Sequence, residues 1–199
     1  MERRGMSANN YRKIALIGGI SSGKTVVSEI MRALGAYIID ADVVSREVVC
    51  EGSNGEKKLK ENFPTCVIEQ RIDRRKLREL VFSDAEQLKK LNKITHPLIK
   101  KRIKQLENEF DGVTVTVMPL PFDLKDYDAV VMVYAPMERR INRLQKRDNI
   151  SEQVAKSMIS SQLSDEKMAA VSDFVFVNDG DIDKIRIAVE EWWHSYVKE

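Results

Sequence analysis

An α/β fold is predicted for this chain: a five-stranded, mostly parallel sheet with helices on both faces. Two observations predict it. Five short apolar runs, at residues 13–17, 36–40, 113–118, 130–134 and 174–177, are separated by stretches with helical spacing. Such alternation implies right-handed crossovers and a parallel sheet that presents ligands at the carboxyl ends of its strands. The first run also leads directly into Gly18-Gly19-Ile20-Ser21-Ser22-Gly23-Lys24-Thr25, which satisfies G-x-x-x-x-G-K-[ST], and a helical stretch over 26–34 follows. Strand, loop and helix thus stand in the order that a phosphate-binding loop requires, and the fold expected is that of the P-loop NTPases.

The loop is the first candidate site. Its glycines let the backbone curl until successive N–H groups face one concavity, and the following helix adds the positive end of its dipole. Gly18, Gly19, Ser21, Ser22, Gly23, Lys24, Thr25 and Val26 are therefore the expected ATP contacts. Lys24 reaches the β- and γ-phosphates, and the Thr25 hydroxyl ligates the Mg²⁺ that accompanies them. The second run, 36–40, ends in Asp40-Ala41-Asp42 at the ligand-bearing edge of the sheet. One carboxylate there can orient Mg²⁺, for which Asp40 is the candidate, and the other can accept the proton of an attacking hydroxyl, for which Asp42 is the candidate. An Asx turn or a helix N-cap is the competing use of an Asp at this point. Arg46, one helical turn beyond Asp42, is placed to bind an anionic substrate group or to pair with Asp42.

Residues 41–109 carry several helices and no convincing strand, which predicts a helical insertion able to cover a second substrate. Helices are expected over 74–82 and 84–95, and Pro97 is expected to open another that runs to residue 109. The basic run Arg71, Arg74, Arg75, Lys76 and Arg78 reads as a solvated helix face with Leu77, Leu80 and Val81 turned inward, and no chemistry is assigned to it. Farther on, Arg139, Arg143 and Arg147 recur every four residues of a helix over 137–147. Together with a helix over 152–160 this segment, about 137–161, reads as a lid whose arginines meet phosphate oxygens, with Arg143 on the transferring group. A solvated face paired with Glu138 or Asp148 is the alternative. The last helix, 181–197, places Ile185, Val189, Trp192 and Tyr196 on one face, which favours packing over base stacking.

Composition bounds the function. A chain of 199 residues fits one domain with a small insertion, smaller than most motors and transporters. Its formal charge of +2 provides no overall basic field, so a small substrate is expected rather than nucleic acid. The first ten residues are polar and no apolar run approaches a membrane span, so a soluble cytoplasmic protein is expected, without a membrane partner, as a monomer or small homo-oligomer. Cys50 and Cys66 lack the spacing of a zinc site or a disulfide framework and suit a reducing compartment.

The chain resembles the dephospho-CoA kinases. The resemblance rests on the loop at 18–25, on Ile39-Asp40-Ala41-Asp42 with Arg46, and above all on Leu91-Asn92-Lys93-Ile94-Thr95-His96-Pro97-Leu98-Ile99. It continues through Arg74-Arg75-Lys76-Leu77-Arg78 with Val81-Phe82, Pro119-Leu120, Arg143 with Arg147-Asp148, Gln162 and Asn178-Asp179-Gly180. It implies transfer of the γ-phosphoryl of ATP, with Mg²⁺, to the ribose 3′-hydroxyl of dephospho-CoA, the last step of coenzyme A synthesis. In that reading Asp42 is the general base, Arg143 and Arg147 belong to the mobile lid, and Asn178 and Gly180 approach the ATP base. His96 falls in the region that receives the CoA substrate, although a capping role before Pro97 is the alternative. Three departures from the family pattern stand out. Ser21 replaces a glycine usual in the loop, Val26 replaces a second hydroxyl, and Pro119-Leu120-Pro121-Phe122-Asp123 carries an extra proline and a shorter acid. Another small-molecule kinase with a nucleoside, nucleoside monophosphate or shikimate acceptor would share the loop and lid. A regulatory GTPase would need Asn-Lys-x-Asp after a strand, and Asn92-Lys93-Ile94-Thr95 lacks the final Asp.

Overall fold

The computed structural model describes residues 12–119 and 121–197. The polar N-terminal decapeptide and Leu120 lie outside the described residues. The described residues form two compact units, one made of 12–40 and 110–197 and the other of Ala41–Glu109.

In the first unit, β1 (Lys13–Ile17), β2 (Tyr37–Asp40), β5 (Thr114–Val117), β6 (Ala129–Tyr134) and β7 (Phe174–Val177) form one sheet in the order β2-β5-β1-β6-β7, with every pairing parallel. The strands are short and apolar because both faces are covered. The register sets Asp40 opposite Val117, Leu16 opposite Val117, and Tyr134 opposite Val177, so the strands end together at the edge where the glycine loop begins. Helix α1 (Lys24–Ala33) packs against α9 (Ile182–Tyr196), and Val27, Met31, Ile185, Val189 and Trp192 join Ile14, Leu16, Val131 and Val133 in the main core. Trp192 and Trp193 are 6% and 3% exposed, and Phe174 and Phe176 meet the Trp192 ring edge-on, so the aromatic face of α9 is core and not a base-stacking platform. Between β6 and β7 lie α6 (Met137–Asp148), α7 (Glu152–Ser160) and α8 (Asp165–Ala170). Ile141 and Leu144 of α6 pack on Ala155 and Ile159 of α7.

The second unit is mostly helical: α2 (Ala41–Glu47), α3 (Asn54–Asn62), α4 (Arg74–Ser83) and α5 (Ala85–Glu109), with Leu59, Phe63, Cys66, Leu77 and Val81 as its core. Two features differ from the sequence expectation. Pro97 does not open a helix but lies inside the 25-residue α5. A mid-helix proline costs about 3 kcal/mol. Packing on both sides of it outweighs that cost here, since Leu91 and Ile94 join the core before the proline and Ile103 is buried after it. A small hairpin is also present, β3 (Val67–Ile68) paired antiparallel with β4 (Arg71–Ile72). Its two turn residues, Glu69 and Gln70, both have positive φ, 47° and 63°. That is the geometry usually marked in sequence by Asn-Gly or Asp-Gly, and its absence hid the turn. Among the described residues no helix is long and apolar enough to cross a membrane.

Candidate active site

The glycine loop joins β1 to α1, and its shape follows from close approach. Gly18 has φ +151°, and a Cβ there would lie 2.4 Å from the Val133 carbonyl oxygen. Gly23, at φ +103° in the position that caps α1, would place a Cβ 1.9 Å from Asn178 Nδ2. Neither position can carry a side chain without moving a neighbour. Ser21 has φ +57°, a left-handed conformation that costs a non-glycine residue about 1–2 kcal/mol. The position where the resemblance leads one to expect glycine is thus one that favours glycine, and Ser21 tolerates it at a cost. Lys24 Nζ donates to the carbonyls of Gly18 at 2.7 Å and Gly19 at 3.2 Å, which holds the ammonium over the loop. Ser22 Oγ is buried within the loop and has no hydrogen-bond partner among the described residues. A lysine held at the loop, positive-φ glycines that let the backbone curl and the N-terminus of α1 directly behind them are features that fit a polyphosphate. Thr25, in the first turn of α1, and Asp40, at the end of β2, are both exposed. No three His, Cys, Asp or Glu side chains converge among the described residues, so Mg²⁺ would draw its remaining oxygens from phosphate and water.

The outer side of the same loop is braced by arginines. Arg140 Nε donates to the Ile20 carbonyl at 2.9 Å. Arg143 Nη1 donates to the carbonyls of Ser21 at 3.1 Å and Ser22 at 3.2 Å, while its Nη2 donates to Asn178 Oδ1 at 2.9 Å. Asn178 Nδ2 completes the circuit by donating to the Ser22 carbonyl at 2.9 Å. The reason is electrostatic: a loop that turns its N–H groups toward an anion turns its carbonyls outward, and those carbonyls need donors. Burial, and then the neighbouring Arg139, push the Arg143 guanidinium below its ordinary range.

Several of the residues singled out in the sequence have contacts of their own here. Arg143 is engaged by the loop carbonyls of Ser21 and Ser22 and by Asn178. Asn178, 4% exposed, spends both ends of its amide on this brace. Gly180 has φ +106°, a conformation that favours glycine, and immediately precedes Asp181, whose carboxylate caps α9. Arg147 grips its neighbour Asp148 with bonds of 2.7 and 2.8 Å, which raises the Arg147 pKa and lowers that of Asp148, each chiefly through this hydrogen bond. Periodicity could not separate these uses, because a row of arginines has the same spacing whichever way each one turns. Arg140 lay outside the row and was missed.

The second unit holds its own cavity of about 410 Å³. It is lined by apolar Leu59, Leu77, Val81, Leu91 and Ile99 and by Arg46, Arg74, Arg78 and His96. Asp42 lies in the first turn of α2, and its carbonyl accepts from Ser45 Oγ at 2.8 Å and Arg46 Nε at 3.1 Å. Asp42 is therefore within the helix and not its N-cap. His96 sits mid-helix in α5 and is therefore not the N-cap of a helix that starts at Pro97. Arg74 and Arg78, set aside in the sequence as solvated, line the cavity with Leu77 and Val81. Their spacing of i, i+3, i+4 and i+7 is the signal that was available, since it puts all four on one face of α4. An apolar chamber with three guanidinium groups suits an elongated ligand that carries phosphate.

The sequence model of the dephospho-CoA kinases matches residues 12–184. A dephospho-CoA kinase of Streptomyces avermitilis is 35% identical over 192 residues, covering 93% of this chain and 94% of that protein. One of Pseudoalteromonas translucida is 36% identical, covering 96% of this chain and 93% of its own length. Among solved structures, a protein from Thermus thermophilus superposes with a TM-score of 0.82 at 27% identity, covering 96% of this chain and all of that one. Dephospho-CoA kinase from Campylobacter jejuni gives 0.62 at 25% identity, covering 94% and 98%.

Proposed function

This chain belongs to the dephospho-CoA kinase family, and from that premise we propose how its two units divide the labour of the reaction. The enzyme is a phosphotransferase that moves the γ-phosphoryl of ATP to dephospho-CoA in the final step of coenzyme A synthesis, and a different small-molecule acceptor is not favoured. The loop at 18–25 takes the ATP phosphates, and the insertion, Ala41–Glu109, takes dephospho-CoA in its cavity. The single observation that supports this placement is the chamber that joins apolar Leu59, Leu77 and Leu91 to Arg46, Arg74 and Arg78, a match to an acceptor with a long pantetheine arm and a pyrophosphate. His96, in the same lining, contacts that substrate.

Asp42 accepts the proton of the 3′-hydroxyl as its oxygen bonds to the γ-phosphorus, while the bond to the β,γ-bridging oxygen breaks and ADP leaves. Lys24 and the loop N–H groups stabilise the charge that develops on the phosphoryl oxygens. Thr25 and Asp40 would hold Mg²⁺, which would supply neutralisation of the phosphate charge. Arg143 keeps the loop in shape through its carbonyls, and the segment 137–161 that carries it forms the lid side of the nucleotide site. The enzyme works in the cytoplasm as a monomer or small homo-oligomer with no nucleic-acid or membrane partner, a reading supported by its near-balanced charge and by two free cysteines. Replacing Asp42 tests the assignment of the base. Asp42→Ala lowers kcat by about 10²-fold or more while the KM for ATP stays unchanged, and near-normal turnover would remove Asp42 from the role.

A further inference from the structure

Ile20, in the middle of the phosphate loop, is held at three points by the segment that follows β6. Its N–H donates to Gln162 Oε1 at 2.7 Å, its carbonyl accepts from Arg140 Nε at 2.9 Å, and its side chain packs against the cluster formed by α6 and α7. Arg140 is 3% exposed. Its Nη1 donates to both carboxylate oxygens of Asp165, at 3.1 and 3.2 Å, and its Nη2 stands 3.5 Å from Gln162 Oε1. A Cβ on Gly19 would fall 2.2 Å from Nη2, so the guanidinium is seated against the loop backbone itself.

An arginine this deeply buried persists only if its charge is matched and its donors are used. Asp165 alone would match the charge, yet Nε is spent on the loop. The Ile20 carbonyl is one of the groups that must face outward if the N–H groups are to converge on phosphate. We propose that Arg140, oriented by Asp165, is a positioning residue that locks the Ile20 peptide and so keeps the loop shaped for ATP before ATP arrives. The proposal rests on the reading of residues 18–25 as the ATP phosphate site. Its physical basis is preorganisation: a loop already held in its binding shape loses less freedom when the ligand enters.

Calorimetric titration of the full chain with ATP, alongside thermal melts and steady-state kinetics, tests it. Arg140→Met weakens ATP binding by about tenfold or more, the scale of losing one charge-assisted hydrogen bond, and leaves the KM for dephospho-CoA within about twofold. It also lowers thermal stability, because Asp165 loses its partner. The double variant Arg140→Met/Asp165→Leu removes both charges and regains that stability, but its ATP affinity stays low because the Ile20 carbonyl still lacks its donor. Recovery of ATP affinity together with stability would make Arg140 a merely structural residue and overturn the proposal. Parent-like affinity in Arg140→Met would do the same. Should Arg140→Met not fold, the double variant decides by the same criterion. Lys24→Ala separates the underlying reading from the proposal. If Lys24→Ala loses ATP binding and Arg140→Met keeps it, only the role of Arg140 falls. If the parent does not bind ATP, or Lys24→Ala binds as the parent does, the phosphate-site reading falls and the proposal with it.

Discussion

Asn178→Ala distinguishes a brace from a nucleotide contact. The Asn178 side chain is 4% exposed and makes two hydrogen bonds, one accepted from the Arg143 guanidinium at 2.9 Å and one donated to the Ser22 carbonyl at 2.9 Å. The first is charge-assisted and contributes about 1.5–3 kcal/mol, the second about 1 kcal/mol. The Ser22 carbonyl keeps Arg143 Nη1 at 3.2 Å, so truncation does not orphan it, and the loss totals about 3 kcal/mol. For a chain of this size about 1 kcal/mol moves Tm by roughly 2–4 °C, so the expected fall is about 6–12 °C. Differential scanning calorimetry with and without ATP measures it. Asn178→Asp keeps the acceptor for Arg143 and loses only the donation to Ser22, so it falls between the parent and Asn178→Ala. The reasoning is refuted if Asn178→Ala melts within about 2 °C of the parent while its KM for ATP rises by about tenfold or more, the pattern of a residue that touches only the nucleotide.

Further outcomes follow from the same geometry. Ser21→Gly relieves a φ of +57°, and set against the extra freedom of glycine in the unfolded chain it raises stability by up to about 1 kcal/mol, visible in a urea titration; a loss of 1 kcal/mol or so would contradict the strain. Arg74→Ala and Arg78→Ala each raise the KM for dephospho-CoA by about tenfold and leave the KM for ATP near the parent value, because both residues line the cavity of the insertion; an equal rise in both constants would argue against that division. Gly23→Ala, whose Cβ would meet Asn178 Nδ2, weakens ATP binding and lowers stability by about 2 kcal/mol or more, and parent-like melting would show that the loop yields more easily than its packing suggests.

What the sequence revealed and what it concealed divide along a physical line. Residues 18–25 were legible because their chemistry is local: the glycines, the lysine and the hydroxyl sit on one stretch of backbone between a strand and a helix. The parallel sheet was legible from its apolar runs. The hairpin at Val67–Ile72 was hidden because Glu69 and Gln70 adopt left-handed conformations without the residues that announce them. The continuous α5 was hidden because the local cost of Pro97 is outweighed by contacts made elsewhere along the helix. Charges were the hardest to read. Arg74 and Arg78 line a cavity while Arg75 pairs with Glu79 on the exposed face of the same helix. Arg140, Arg143 and Asn178 act on a loop more than a hundred residues earlier in the chain. No spacing rule reports such a contact.

Phosphoryl transfer itself tests the central claim most directly. Purified protein with ATP and Mg²⁺ is offered dephospho-CoA, adenosine, AMP and shikimate in parallel, and each product is identified by its mass and by the position of the new phosphate. Phosphate on the ribose 3′-hydroxyl of dephospho-CoA alone is the predicted result. Transfer to another acceptor in preference, or to none of the four, would contradict it.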